Sequence, residues 1–375
     1  MPALPDALGL FLELAAIPSP PGEERAVADR VLAYLDALGL EATEDEAGPR
    51  IGSTMGNIVV RIPPSSEGTA GVPIFLCAHL DTVRPTAAIE PVVEDGLVRN
   101  AQPTILGADN KAAVAVMLEA SRRVLAEGRE HAGLELVFTP KEETGLEGAH
   151  ELDPAGLAAR VGFVYDHAGP IGEIVAAAPS STSIDAVFVG RAAHAGMHPE
   201  EGRSAIYAAA RAIGDLRLGR IDPETTANVG EISGGTARNI VPDRCAVVAE
   251  ARSHDDAKLA EVVQEMVDAC TFAAALAECE VELEVEEQYR GYRFRPEDEV
   301  FRLAAAALSA SGFEPRGIPA GGGADANVFN ATGRPCANLA NGMTRIHSAD
   351  EHIAVADLEA MVDVTLNLVE AARHG

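Results

Sequence analysis

The run Thr139-Pro140-Lys141-Glu142-Glu143-Thr144-Gly145 sets two carboxylates side by side, directly after an apolar, strand-like stretch from Leu134 to Phe138. Adjacent carboxylates repel, and a strand end suits them poorly unless they share a cation. A metal ion resolves the conflict: one glutamate binds it, and its neighbour stays free to take a proton from the attacking water. On its own the pair also fits a solvated loop, because glutamate is mostly exposed. The rest of the chain supplies the missing partners.

Pro73-Ile74-Phe75-Leu76-Cys77 reads as a buried strand, with His79 leaving its end and Asp81 following. Alternation puts His79 and Asp81 on one side of an extended chain. There a carboxylate can hold an imidazole in the tautomer a metal needs; a His–Asp hydrogen bond inside a core is the alternative. Leu106-Gly107-Ala108-Asp109-Asn110-Lys111 opens into an apolar helix through Leu118, so Asp109 is either an N-cap or a carboxylate shared by two ions. Val161 to Asp166 is another short strand ending in an acid, next to His167, and His347 lies in Arg345-Ile346-His347-Ser348. Acids and imidazoles at strand ends suit an α/β sheet, whose ligands bind outside the carboxyl ends of the strands.

His79-x-Asp81, Asp109, Glu142-Glu143, Asp166 and His347 resemble the ligand set of the dinuclear-zinc aminopeptidase, carboxypeptidase and deacylase superfamily, and within it the peptidase T-like branch. The phrases that carry the resemblance are Ile17-Pro18-Ser19-Pro20-Pro21-Gly22-Glu23-Glu24, His79-Leu80-Asp81-Thr82-Val83, Ala108-Asp109-Asn110-Lys111, Glu142-Glu143-Thr144-Gly145 and Gly321-Gly322-Gly323-Ala324-Asp325-Ala326-Asn327, spread over nearly the whole chain. The resemblance implies one ion on His79 and Asp166, a second on Glu143 and His347, and Asp109 bridging them. Glu142 would be the general base acting on a water between the ions, and Asp81 the support of His79. Donors of nitrogen and oxygen only fit two divalent ions: zinc, with cobalt or manganese as alternatives.

The same resemblance extends to a second domain. His194, in Arg191-Ala192-Ala193-His194-Ala195-Gly196-Met197-His198, matches a lid-domain histidine that stabilises the carbonyl oxyanion in the partner subunit's site. Asn239, in Gly234-Gly235-Thr236-Ala237-Arg238-Asn239, matches a substrate-contacting asparagine, and Gly321, Gly322 and Gly323 are read as a pocket wall that allows close backbone approach. That loop lacks the lysine of a phosphate-binding loop, which disfavours nucleotide. Asp325 is expected to cap or hold a loop rather than to ligate.

At 375 residues the chain exceeds what one core usually supports. Its 47% hydrophobic content supplies substantial cores. The net charge of −29 excludes general affinity for nucleic acid or anionic membrane. Lysine occurs only at positions 111, 141 and 258, and Lys111 and Lys141 flank proposed site residues, where their charge can balance carboxylates. The beginning of the chain has no basic region, and Asp6 and Glu13 interrupt its apolar run, so neither a signal peptide nor a spanning helix is expected. Five cysteines without zinc spacing read as reduced core residues of a cytoplasmic protein.

Val27, Val31 and Leu35 mark one face of a helix after Pro21-Gly22. Further along, strands near Ser183–Val189, Ala227–Ile232, Arg244–Ser253 and Val281–Val285 alternate with helices over Ala205–Leu216 and Ala257–Leu276, a ferredoxin-like split βαβ order. The expected fold is therefore α/β. A zinc-peptidase-type catalytic domain, with a mixed central sheet flanked by helices, spans 1–174 and 291–375. A ferredoxin-like α+β lid and dimerisation domain is inserted over 175–290. The expected function is a cytoplasmic, homodimeric, metal-dependent exopeptidase that acts on short peptides as a tripeptidase-like aminopeptidase. Another amide hydrolase of the superfamily (dipeptidase, carboxypeptidase or N-acyl-amino-acid deacylase) and an inactive metal-binding assembly protein are the alternatives.

Overall fold

The computed structural model describes residues 4–66 and 70–374. The chain divides into two units. One comprises the chain up to Ala177, Arg293–Ala320 and the chain from Ala324; the other comprises Ala178–Tyr292 with Gly321–Gly323.

The first unit is built on a mixed sheet. From one edge its strands run Ala42–Glu44, Ile58–Ile62, Leu134–Thr139, Ile74–His79, Val161–His167, Cys336–Ala340, Glu173–Ala178 and the two-residue Tyr292–Arg293, with Arg316–Pro319 also paired to Glu173–Ala178. The four strands at its centre are mutually parallel, Leu134–Thr139 with Ile74–His79, that strand with Val161–His167, and Val161–His167 with Cys336–Ala340. Ile74–His79 and Leu134–Thr139 are buried at every residue, as strands covered on both faces must be. Parallel alignment delivers all four carboxyl ends to one edge of the sheet. His79 is the last residue of its strand, Asp166 lies at the end of another, and the chain after Thr139 turns at once into Glu142-Glu143.

Helices supply the cover. Arg25–Ala37 buries Val27, Val31 and Leu35, the stripe its spacing predicts. Ala108–Ala126 carries an unbroken apolar run from Ala112 to Leu118 and is buried along most of its length, as a core helix requires. A small antiparallel sheet joins the hairpin Pro91–Glu94/Leu97–Asn100 to His352–Ala354. The hairpin turns on Asp95 and Gly96, both at positive φ, where glycine is free of strain.

In the second unit, Gly219–Asp222, Thr225–Gly234, Arg244–Ser253, Ser180–Val189 and Glu280–Tyr289 form one antiparallel sheet in that order. Apart from the edge strand Gly219–Asp222, which the sequence pattern does not reveal, this is the split βαβ arrangement. Helices Ala205–Asp215 and Asp256–Leu276 pack on it around Ala186, Phe188, Val247 and Cys270. Ser204 and Asp255 cap the two helices by accepting backbone N–H bonds from Tyr207 and from Ala257 and Lys258. All five cysteines are free thiols, buried except for the half-buried Cys279. Among the described residues no helix is long and apolar enough to cross a membrane.

Candidate metal centre

Five of the residues singled out from the sequence converge at the carboxyl edge of the first unit's sheet. His79 Nε2 lies 3.2 Å from Asp109 Oδ1 and 3.6 Å from Asp166 Oδ1. The other oxygen of Asp109, Oδ2, is 3.2 Å from His347 Nε2, which is 3.1 Å from Glu143 Oε1. Asp109 thus turns one oxygen to each histidine. Two donor triads result, His79–Asp109–Asp166 and Asp109–Glu143–His347, each with its ligand atoms within 4.8 Å of one another. Glu142 groups in the same way with His79 and Glu143.

Each side chain is held by its element. His79 Nδ1 donates to the Asp81 carbonyl at 2.9 Å, which leaves Nε2 unprotonated to face the cluster in the neutral ring. The Asp81 carboxylate is farther from that nitrogen, at 3.4 Å. It also accepts the backbone N–H of Glu142 on Oδ1 (3.0 Å) and of Glu143 on Oδ2 (3.1 Å). The carboxylate expected to support His79 is thus beside the ring but shared with this turn. The chain leaves the strand at His79, so strand alternation does not govern where the Asp81 side chain goes, and the carbonyl takes the closer contact.

Asp166 is fixed through its backbone: its N–H donates to Asn338 Oδ1, and Asn338 Nδ2 donates back to the Asp166 carbonyl. Asp109 is no side-chain N-cap; its helix begins with non-helical φ/ψ at Asp109 and Asn110. His347 sits at positive φ, in a tight turn that aims its half-exposed ring at Asp109 and Glu143.

The electrostatics show what the cluster needs. Burial, then the neighbouring Asp166 carboxylate, push the Glu142 carboxyl well above the usual range; burial and Asp109 do the same to Asp166. Burial alone would lower His79, yet Asp166, Asp109 and Asp81 hold its imidazole well above its usual value. His347 is raised to about 10 by its contacts with Asp109 and Glu143. Carboxylates gathered in a buried space must take up protons unless cations replace them. Nitrogen and oxygen donors in two triads sharing Asp109 fit two divalent ions.

Other residues from the sequence fall elsewhere. Lys111 is fully buried and donates to the Ile17 carbonyl; burial drives its ammonium down to about 7 against the pull of Glu351 and Asp81. Lys141 binds the Ile51 carbonyl and Glu147. Asp325 is not a cap: it follows the N-cap Ala324 and accepts a 2.6 Å bond from Thr139 Oγ1, tying its helix to the central sheet. His167 lies 3.7 Å from Glu173.

In the second unit, His194 and Asn239 are neighbours, because Ala193–His194 pairs with Ile240–Val241 and Ala195 N–H donates to the Asn239 carbonyl. His194 Nδ1 accepts the N–H groups of Gly196 (3.2 Å) and Met197 (3.1 Å). In the neutral ring that leaves Nε2–H as a donor on an exposed side chain. Gly323 does permit a close approach, but the group that approaches is Tyr289: a Cβ would meet its ring at 2.5 Å. Sequence reasoning missed Asn338, Ser19 (whose hydroxyl donates to the Leu80 carbonyl) and Glu351. Ser19 lies in one of the phrases that carry the resemblance but shows no sign of this partner, and Asn338 and Glu351 have no local signature beyond their polar type.

A sheet that gathers a nitrogen–oxygen donor set at its carboxyl edge, joined to a split βαβ unit, defines the metallopeptidase class. Comparison with known proteins is in keeping with this. Residues 179–277 match the peptidase dimerisation domain model, and residues 57–195 match that of peptidase family M28. The uncharacterized protein YqjE of Bacillus subtilis is 37% identical over 96% of this chain and 97% of its own. The crystal structure of aminopeptidase PepT from Bacillus cereus superposes with a TM-score of 0.84 at 37% identity, covering 98% of both chains. That of a tripeptidase from Staphylococcus aureus gives 0.90 at 34% identity, again over 98% of each. The chain belongs to the peptidase T-like metallopeptidases.

Proposed function

We propose that this protein is a dinuclear metal-dependent aminopeptidase that removes the N-terminal residue of short peptides, with tripeptides as the best-matched length. The observation that carries the reading is Asp109, one oxygen toward His79 and the other toward His347, with Glu142 beside the same cluster. His79, Asp166, Glu143, His347 and the shared Asp109 would hold the ions, with zinc first and cobalt or manganese as substitutes. Such ions supply Lewis acidity, making water a nucleophile near neutral pH and drawing electron density from the scissile carbonyl.

The chain's own groups do the rest. Glu142 takes a proton from the attacking water as the new C–O bond forms, then passes it to the amine nitrogen as the C–N bond breaks. Asp81 fixes the turn that carries Glu142, so the base is aimed before substrate arrives. His194, by resemblance, offers its Nε2–H to the carbonyl oxygen in the partner subunit's site as negative charge develops there. Asn239 is a proposed substrate contact on the same ground, and the Gly321–Gly323 loop is proposed as a pocket wall because glycines allow close backbone approach. Residues 1–174 with 291–375 are read as the catalytic domain and 175–290 as the lid and dimerisation domain of a cytoplasmic homodimer. The reading is tested by stripping metal with a chelator and restoring zinc, cobalt or manganese while following a tripeptide. Activity should vanish and return; turnover unaffected by complete metal removal would reject it.

A further inference from the structure

Glu351 follows His347 in the same C-terminal segment and is 2% exposed. Its Oε2 accepts the N–H groups of Leu106 (2.7 Å) and Gly107 (2.9 Å), and its Oε1 accepts that of Asp109 (3.1 Å). These donors lie at the start of the helix that follows Gly107, where backbone N–H groups lack partners within the helix. A buried carboxylate is well matched to them: it accepts on both oxygens and lies at the positive end of the helix dipole. Burial pushes its carboxyl up, while the three N–H donors pull it back. Lys111, on the same helix, contributes an attractive charge.

The consequence is geometric. Glu351 precedes the strand His352–Ala354, whose pairing with Leu97–Asn100 anchors its backbone. It grips the backbone of Asp109 itself, the residue whose carboxylate faces both histidines. The segment that supplies His347 therefore also sets where Asp109 points.

We propose that Glu351 is a positioning residue for the dinuclear centre: it clamps the Leu106–Asp109 backbone so that the Asp109 carboxylate is held between His79 and His347 before any ion binds. The proposal rests on the metal-centre reading above. A glutamine at this position keeps one carbonyl oxygen for Leu106 and Gly107 but turns an NH2 group against the Asp109 N–H. The clamp on Asp109 is lost while most of the packing stays.

The test is metal binding itself. Purified wild-type protein and Glu351→Gln, both stripped of metal, are titrated with zinc by calorimetry, with bound metal counted by mass spectrometry. The metal-free variant should keep the wild-type circular dichroism spectrum yet bind zinc roughly 10- to 100-fold more weakly, the range seen when groups that orient metal ligands are removed. Equal affinity and a stoichiometry of two in both proteins would overturn the role of Glu351 and leave the metal centre intact. A wild-type protein that binds no zinc would overturn both. Should Glu351→Gln not fold, Glu351→Asp, which keeps the charge at shorter reach, is read in the same way.

Discussion

The carboxylate of Asp81 accepts the backbone N–H of Glu142 at 3.0 Å, with its second oxygen on the N–H of Glu143. The side chain that stands beside its own histidine in the His-x-Asp pair thus also holds the turn bearing both glutamates. Asp81 is fully buried, so Asp81→Ala leaves two N–H groups without an acceptor. Each such loss costs roughly 1–3 kcal/mol. Thermal denaturation of the metal-free variant should show that loss, together with weakened metal binding. An unchanged Tm would contradict the bracing role.

Glu142→Gln keeps the size of the side chain and removes the base. Bound metal, counted directly, should stay at the wild-type level while kcat falls roughly 100- to 10 000-fold. A near-normal rate with metal retained would remove Glu142 from the proton transfer.

The metal-free centre should depend on pH through His347. Its contacts with Asp109 and Glu143 raise its pKa from the ordinary 6.5 to about 10. A raised value means the folded protein holds that proton more tightly than the unfolded chain. The stability it contributes is complete below 6.5 and is lost as pH rises through about 10. Without metal, the Tm advantage of wild type over His347→Ala should therefore shrink across this window. An ion must displace the same proton, so apparent metal affinity should rise with pH, by up to about tenfold per unit for each proton released. A Tm difference that widens toward alkaline pH would contradict the assignment.

His194→Ala should leave metal content unchanged and lower kcat by roughly 100- to 1000-fold, the usual effect of losing one oxyanion donor. In a verified mixed dimer carrying His194→Ala in one subunit and Glu142→Gln in the other, partial recovery of activity is expected, because the resemblance puts the histidine in the service of the partner subunit. No recovery in such a dimer rejects that arrangement.

The residues legible in the sequence are those whose role is announced locally. His79, Asp166 and the Glu142-Glu143 pair stand at the ends of apolar runs short enough to be strands, and parallel alignment of those strands carries them to one edge. The split βαβ order could be read from alternating strand and helix patterns, except for the short edge strand Gly219–Asp222, whose mixed residues show no alternation. What could not be read is the bracing. Glu351 reaches Leu106, and Asn338 reaches Asp166, across long stretches of chain, and a polar residue in a loop gives no hint of such a partner. Asp81 and Asp325 stand out in the sequence, but their partners depend on the turns and strands that surround them rather than on neighbours in sequence.

The most direct test of the aminopeptidase reading is hydrolysis of one tripeptide in two forms, with a free N-terminus and N-acetylated, by zinc-loaded enzyme with products identified by mass spectrometry. Cleavage of the free form alone, with release of its first residue, is the predicted result. Release of acetate from the blocked form, with the free tripeptide left intact, would contradict it and make the protein a deacylase.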